Sequence, residues 1–301
     1  MSKIALLVLP AAVALSGCAK SGDSYKGTAK ADDVKALNIA KGQEKTLFPV
    51  KEGNSWVFDT QTTSTFGAQQ AVNDTVFTFT IGKVFPIEGG VEFEMLIGSD
   101  QEVNGEKSSE KQMWRLTDKG VSVAAARVRP NLKVDKLEMV PFNPPQPFMF
   151  FPLEEGKVID WSGVGPLPAG GGSDTNPVGP SKFSLTCAGT QKTDTAEKSY
   201  MAYVFEQEQT WTIPGFDKAK YQAELAKQQG VAPNSGGTSP IPKDKEEAKL
   251  MAELEPKVGQ GISAVTSHWA PNVGLVRLRQ EIAINNLIII QIFKLKKANL
   301  K

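Results

Sequence analysis

Hydrophobic and polar positions alternate with a period of two along much of the chain after residue 47. In residues 74–84, DTVFTFTIGKV, phenylalanine and isoleucine occupy every second position. After PIEGG, residues 91–97 (VEFEMLI) alternate in the same way, and Glu92 and Glu94 fall on the polar face. Such alternation predicts antiparallel strands with one face towards the core and one towards water, and PIEGG predicts the turn between them.

The same pattern predicts further strands towards the C-terminus. Residues 111–128 form a predicted hairpin that turns at Asp118-Lys119-Gly120, and residues 199–213 form a long strand. Residues 274–296 look like two strands joined at Asn285-Asn286, because asparagine tolerates the backbone of a tight turn. The final strand contains LIIIQIF, which is apolar on both faces. It is either a central strand covered on both sides, which we predict, or an aggregation-prone one.

Two stretches interrupt the alternation. Residues 162–180 are rich in glycine and proline, lack the Gly-Lys-Ser/Thr ending of a phosphate-binding loop, and predict a surface loop. Residues 215–260 predict an inserted helical pair, because FDKAKYQAELAKQQG and KDKEEAKLMAEL have helix-forming compositions and end at Gly230 and before Pro256. This insertion could be a lid over a cavity, an arm for a partner, or an appendage that packs weakly on the sheet.

The N-terminal residues predict export and a lipid anchor. Residues 4–15 are apolar, follow a single cation, and are shorter than the roughly 20 residues that a membrane-spanning helix needs. Leu15-Ser16-Gly17-Cys18 resembles the lipobox of bacterial lipoproteins. The resemblance implies a signal peptide at 1–17, cleavage between Gly17 and Cys18, a diacylglycerol thioether on Cys18, and acylation of its new amino group with a fatty acid such as palmitate.

Residues 18–46 predict a lipidated cysteine and a flexible tether, because they are rich in Lys, Gly, Ser, Ala and Asp and poor in aromatic residues. A coil of this length would hold the folded part roughly 30 Å from the membrane. Ala19 is not the aspartate associated with retention in the inner membrane. If the host has an outer membrane, the predicted location is therefore its inner leaflet, on the periplasmic side.

Charge and composition exclude several classes of function. Removing residues 1–17 deletes one cation, Lys3, so 33 basic and 33 acidic side chains remain and no excess of positive charge attracts nucleic acid. Cys187 is then the one free cysteine, which excludes an intrachain disulfide and predicts a buried, inert thiol. The chain has one histidine, His268, so a zinc or copper site built from His and Cys is not expected, and we predict no metal and no cofactor.

The sequence contains no motif that predicts catalysis. A Ser–His–Asp set would have to use His268, whose neighbours WAPNVGLV suggest the start of a strand. The pairs Glu92/Glu94 and Glu206/Glu208 lie two apart, and a solvated strand face explains them better than acid–base chemistry. Asp174-Thr175-Asn176 offers oxygen ligands, but no calcium-loop pattern follows. We therefore predict that the protein is not an enzyme.

The five tryptophans lie in or beside predicted strands. They are Trp56, Trp114, Trp161, Trp211 and Trp269. On a cleft they could line an apolar ligand site, and in the core they would hold the sheet together. We favour the core.

Four stretches carry a resemblance to a diffuse group of bacterial envelope proteins. FPVKEGNSW (48–56) is similar to the group's opening Y/F-P-L-x-x-G-x-x-W, and FPLEEGKVIDW (151–161) to its second entry. HWAPNVGLVRL (268–278) resembles its signature W-Y-A-P-G-V-G-x-V-K, with Asn272 in place of the first glycine, and AEKSYMAYVF corresponds loosely to one of its strands. We interpret the repeated FP…G…W phrase as a strand-entry device, because proline marks a strand edge and glycine permits the turn.

The resemblance implies a mainly β fold with one strongly curved antiparallel sheet, a half-barrel or open barrel. From the strand pattern we predict that this sheet spans residues 47–297, with the helical pair at 215–260 inserted where the group normally has a short connection. Its shape would be similar to lipoprotein carriers and lipid-binding envelope proteins. The leading hypothesis is a non-enzymatic, membrane-anchored envelope lipoprotein that binds an apolar or lipid ligand on the concave sheet face. The alternative is a scaffolding lipoprotein that engages an envelope protein through the helical insertion.

Overall fold

The computed structural model describes residue 39 and residues 43–66, 69–103, 106–128, 137–168, 177–212, 259–284 and 287–301. Within these residues the chain forms twelve β-strands and one short 3₁₀ turn at Glu44–Leu47. The strands are β1 (Ser55–Phe66), β2 (Gln69–Ile87), β3 (Gly90–Val103), β4 (Glu106–Thr117), β5 (Gly120–Val128), β6 (Glu138–Phe150), β7 (Val158–Pro166), β8 (Val178–Asp194), β9 (Ser199–Thr212), β10 (Gln260–Ala270), β11 (Gly274–Ile284) and β12 (Leu287–Asn299). In the described ranges, no helix has the length and apolar character needed to cross a membrane.

The sheet is a closed barrel. Each strand pairs antiparallel with its neighbours in sequence, and β12 pairs with β1 along twelve residue pairs that run from Ser55↔Asn299 to Phe66↔Leu287. The prediction of a half-barrel or open barrel is therefore wrong. Alternation shows which face of a strand is buried, but it does not show whether the first and last strands pair with each other. Closure pairs the first strand with the last and so removes the two outer edges of the sheet. The weakest seam is between β6 and β7, which pair at Asn143↔Val164 alone.

The predicted fold class is also corrected in its helical part. The helical pair expected at 215–260 lies outside the described residues except for Gly259, which is in a turn, and Gln260, which begins β10. The described chain is a twelve-stranded barrel without an α-helix. The predicted signal peptide and Cys18 also lie outside the described residues.

The predicted hairpins are confirmed where the structure describes them. Strand β2 ends at Ile87 and β3 begins at Gly90, and β4 ends at Thr117 before β5 begins at Gly120. The apolar face of β3 is buried, whereas Glu92 and Glu94 face outwards and pair with Arg115 and Lys111 on β4. The period of two therefore located the inner and outer faces of these strands correctly.

Strand β12 is central but not covered on both faces. It pairs with β1 and β11, as its apolar sequence predicted. However, the side chains of Ile289 and Phe293 face the interior, while Ile288 faces outwards and is 46% exposed. The prediction of cover on both sides is wrong for this part of the outer face.

Because neighbouring strands run in opposite directions, odd-numbered and even-numbered strands finish at opposite ends of the barrel. The odd-numbered strands all finish at one end of the barrel, which we call the loop end. The connections after even-numbered strands leave at the other end, together with residues 43–54. This second end contains the motifs FPVKEGNSW and HWAPNVG, and we call it the motif end.

The barrel interior as a candidate binding site

At the motif end, the two sequence motifs meet. Trp56 Nε1 donates a hydrogen bond to the Val273 carbonyl at 2.5 Å, and the Asn272 amide donates to the Thr46 carbonyl at 2.8 Å. Asn272 has a φ of 59°, which only glycine and, less readily, asparagine adopt routinely. This conformation explains why asparagine replaces a glycine of the signature. The motifs thus specify a turn and its packing partner.

Replacing Gly274 with alanine should destabilise this junction. Gly274 has a φ of 96°, and an added Cβ would lie 2.9 Å from Trp56 Nε1. We expect the free energy of unfolding to fall by about 1–3 kcal/mol, the usual cost of such a strained backbone position. Urea denaturation measures the change. Gly156→Ala is the matched control, because Gly156 has a φ of 77° but its added Cβ meets nothing. A loss no larger than that of the control would show that contact with Trp56 contributes nothing.

Above this junction, aromatic side chains fill the motif-end half of the interior. Phe48 lies at the centre, with ring centroids 5.2 Å from Trp269, 5.5 Å from Phe93, 5.7 Å from Trp114 and 6.1 Å from Trp56. The cavity that these rings border has a volume of about 20 Å³, little more than one water molecule needs. An acyl chain does not fit there without rearrangement, so the concave face offers no ready apolar site in this half.

All five tryptophans are buried, which confirms the core interpretation. Trp56, Trp114, Trp161 and Trp269 belong to the large apolar cluster of the motif-end half. Trp211 belongs to a second, smaller cluster with Leu167, Ile282, Ile284 and Ile289 near the loop end.

Buried polar side chains line part of the barrel interior, and on β9, β11 and β12 they separate the two apolar clusters. We call this set the polar layer, and its members are Thr60, Ser99, Glu110, Gln112, Gln146, Gln207, Gln209, Ser263, Gln280 and Gln291. Three strands show the order from motif end to loop end: Phe205, Gln207, Gln209 and Trp211 on β9; Leu278, Gln280 and Ile282 on β11; and Phe293, Gln291 and Ile289 on β12. These residues were not among those predicted to form a site.

Part of the polar layer is hydrogen-bonded internally. Trp114 Nε1 donates to Gln112 Oε1 at 2.8 Å, and Gln112 Nε2 donates to Glu110 Oε1 at 2.6 Å. Gln291 Nε2 donates to Thr62 Oγ1 at 3.3 Å. Burial raises the pKa of Glu110 to about 7, and the hydrogen bond from Gln112 opposes this rise only in part. Glu110 is thus a carboxyl group poised to titrate near neutral pH.

Other polar atoms of the interior have no hydrogen-bond partner among the residues that the structure describes. They are Thr60 Oγ1, Glu110 Oε2, both amide atoms of Gln146, Gln207 Nε2, Gln209 Oε1, Ser263 Oγ and Trp211 Nε1. Buried polar atoms of folded proteins are nearly always hydrogen-bonded to protein or to ordered water. Such a group of them is a chemically distinct feature of this barrel.

The residues considered for catalysis lie apart from the polar layer's unpartnered atoms. His268 is buried, and its Nδ1 lies 2.8 Å from Thr193 Oγ1. Burial, with a smaller effect of Arg277, lowers the pKa of His268 to about 4, so the ring is neutral at neutral pH. Burial also raises the pKa of the Cys187 thiol, in keeping with its predicted inertness.

The acidic residues considered as sites are on the outer surface or outside the described chain. Glu206 and Glu208 are exposed on β9, and burial together with Glu206 raises the pKa of Glu208. The residues 174–176 lie outside the described chain. In the ranges that the structure covers, no group of three or more His, Cys, Asp or Glu side chains could hold a metal ion.

Comparison with known proteins identifies no family. No protein-family model matches the chain, and no curated protein matches it. One solved structure, of a proposed exported protein with a YmcC-like fold from Bacteroides fragilis NCTC 9343, is 12% identical and covers 84% of this chain and 98% of its own, with a TM-score of 0.36. Another, of a proposed lipoprotein from Parabacteroides distasonis ATCC 8503, is 11% identical with the same coverage and a TM-score of 0.39. At these scores neither likeness carries an argument about this chain, and its resemblance to the envelope group stays a prediction.

Proposed function

We propose that the protein is a lipid-anchored, non-enzymatic lipoprotein of the bacterial cell envelope. The observation that carries this proposal is Leu15-Ser16-Gly17-Cys18 placed directly after the apolar residues 4–15. Small residues at positions 16 and 17 suit cleavage before Cys18, and the thiol is the side chain that can carry the thioether. Several acyl chains, at about 0.8 kcal/mol per buried methylene, would make the anchoring effectively permanent.

The structure bears on the hypothesis of an apolar ligand but not on the hypothesis of a protein partner. An apolar or lipid ligand on the concave face finds little support, because the cavity among the motif-end aromatic side chains is about 20 Å³. A scaffold that engages an envelope protein was expected to use residues 215–260, almost all of which lie outside the described residues. Nothing in the ranges that the structure describes favours such a partner, so this alternative stays a prediction.

Metabolic labelling with a fatty-acid analogue tests the anchor. We expect the wild-type chain to be labelled and to fractionate with membranes, and the Cys18→Ala variant to lose the label, because alanine cannot form the thioether. Cys187→Ala is the control, since Cys187 is buried in the barrel and should leave labelling unchanged. Equal labelling of wild type and Cys18→Ala would end the lipoprotein proposal.

A further inference from the structure

We propose that residues 188–202, the end of the β8–β9 hairpin, form an acid-released strap that is closed over His268 at neutral pH and opens when the imidazole gains a proton. We call these residues the hairpin arm. The inference rests on how the arm is attached to the barrel and on the burial of His268 beneath it. It goes beyond the proposed anchoring of the protein in the envelope and does not depend on it.

The hairpin arm extends beyond the strands on either side of it. Strand β8 pairs with β7 only as far as Thr186, and β9 pairs with β10 only from Tyr203 onwards. Beyond these points the two strands of the hairpin pair with each other and, among the described strands, with no other. A two-stranded hairpin on its own is marginally stable at best in water. The arm therefore depends on contacts at its tip to stay against the barrel.

A bulge and a glycine mark the place where the arm leaves the barrel. The β8–β9 register shifts between Cys187 and Gly189, and Gly189 has a φ of 93°. Bulges bend the strand that contains them, and glycine adopts this backbone without strain. Cys187 itself is fixed, because its amide donates to the Lys157 carbonyl at 3.1 Å and its carbonyl accepts from the Gly156 amide at 2.8 Å. The bulge next to it is thus a defined hinge.

The tip of the hairpin arm reaches across the outer side of the barrel. The Ala196 amide donates to the Leu295 carbonyl of β12 at 3.1 Å, so the tip passes the ends of β10 and β11. Thr193 Oγ1 lies 2.8 Å from His268 Nδ1 on β10. His268 and its β9 neighbour Val204 are on the outer face of the sheet, yet they are only 7% and 5% exposed. The closed arm therefore shields His268 from water.

The surroundings of His268 oppose a positive charge on its ring. Arg277 lies directly opposite it on β11, and Lys294 lies beyond Arg277 on β12. Burial and, to a smaller extent, Arg277 lower the pKa of His268 from 6.5 to about 4. The other charged groups of the arm and of the adjoining strand β9 are Lys192, Asp194, Glu197, Lys198, Glu206 and Glu208. The acids among them do not offset the effects of burial and Arg277, so a protonated ring is unfavourable while the arm is closed.

Acid should therefore shift the arm towards its open state. In the open state water reaches the ring of His268, which then has its ordinary pKa of 6.5, whereas the closed arm holds the pKa at about 4. The closed state has its full advantage above pH 6.5 and loses it as pH falls towards 4, because the open state binds the proton more tightly. With these two values the equilibrium constant for opening rises about 30-fold between pH 8 and pH 5.

Hydrogen exchange of the full-length protein tests the proposal. The purified protein is exchanged at several pH values from 5 to 8, and the rates are corrected for the intrinsic pH dependence of amide exchange. We expect the opening constant of the arm, including the Ala196 amide, to rise about 30-fold from pH 8 to pH 5. Amides of β11 and β12 at 278–292 should stay protected, because the barrel itself does not open. A flat profile for the arm, or an equal rise in β11 and β12, would overturn the proposal.

Substitutions under the arm identify the titrating group. In His268→Asn the exchange of the arm should not vary with pH, because the amide can still bond to Thr193 but cannot gain a proton. Thr193→Val should increase opening at every pH and keep the rise in acid, since the ring remains. Glu197→Gln is the matched control, because it removes a carboxylate from the tip and should leave the profile unchanged. A rise in acid that persists in His268→Asn would refute the proposal.

The imidazole signal provides a second measurement that needs no variant. His268 is the one histidine of the chain, so its ring signal in the NMR spectrum of the untagged protein is unique. We expect this signal to titrate well below pH 6.5, towards the pKa of about 4. A midpoint at pH 6.5 would mean that the ring is hydrated beneath the closed arm, and the proposal would then be wrong even if His268→Asn does not fold.

Discussion

Replacing Phe48 with alanine should lower the free energy of unfolding by about 3–5 kcal/mol, the range measured for large buried aromatic side chains. Phe48 precedes the first strand, yet it is only 3% exposed and packs on aromatic rings of four strands. These strands are β1, β3, β4 and β10, so the ring connects opposite sides of the barrel at the motif end. Small domains are stable by about 5–15 kcal/mol, so this loss would be a large fraction of the total.

Two other phenylalanines provide matched controls for the Phe48 prediction. Phe151 occupies the equivalent place in the second FP…G…W phrase but is only partly buried, so Phe151→Ala should cost clearly less than Phe48→Ala. Phe85 is 42% exposed on β2, and Phe85→Ala should change stability by no more than about 0.5 kcal/mol. Urea denaturation followed by tryptophan fluorescence gives all three values. If Phe48→Ala is no more destabilising than Phe151→Ala, Phe48 does not hold the motif end together.

The strand-entry interpretation of the repeated phrase is confirmed, and it shows what local sequence can reveal. Gly53 and Gly156 have positive φ values of 81° and 77°, and the strands that contain Trp56 and Trp161 begin at Ser55 and Val158. These features depend on residues within a few positions of one another. The role of Phe48 depends instead on Trp114 and Trp269, which are far away in sequence, and no local pattern could reveal it.

The polar layer was not predicted because a polar residue in an alternating strand is normally assigned to the solvent-exposed face. In β9 the sequence EQEQTW is polar at both alternating positions. Tyr203 and Phe205 set the phase of the buried face, and continuing it by two and four residues reaches Gln207 and Gln209. The signal was therefore present in the sequence. What could not be predicted is that the sheet closes, since closure is what surrounds these amides with protein on all sides.

Replacing Glu110 with glutamine should stabilise the protein above neutral pH by about 3 kcal/mol and have little pH-dependent effect below pH 4.5. The folded protein raises the pKa of Glu110 from 4.5 to about 7, because its carboxyl group is buried and the hydrogen bond from Gln112 offsets this effect only in part. Between these two values the unfolded chain releases the proton while the folded chain keeps it. Stability therefore falls as pH rises through this window, by about 1.4 kcal/mol per unit of pKa shift. Glutamine cannot ionise, and its Oε1 can still accept the hydrogen bond from Gln112.

The difference in unfolding free energy between Glu110→Gln and wild type, measured in urea at several pH values, isolates this effect. His268 titrates in both proteins, so its contribution cancels. Glu94→Gln is the control of opposite sign, because the hydrogen bond from Lys111 lowers the pKa of Glu94 and its stabilisation is present above pH 4.5 and lost in acid. Glu94→Gln should therefore lose stability relative to wild type as pH rises through the acidic range, whereas Glu110→Gln should gain it between pH 4.5 and 7. A flat difference for Glu110→Gln across that range would mean that its carboxyl group is hydrated in the folded barrel, and that water enters the polar layer.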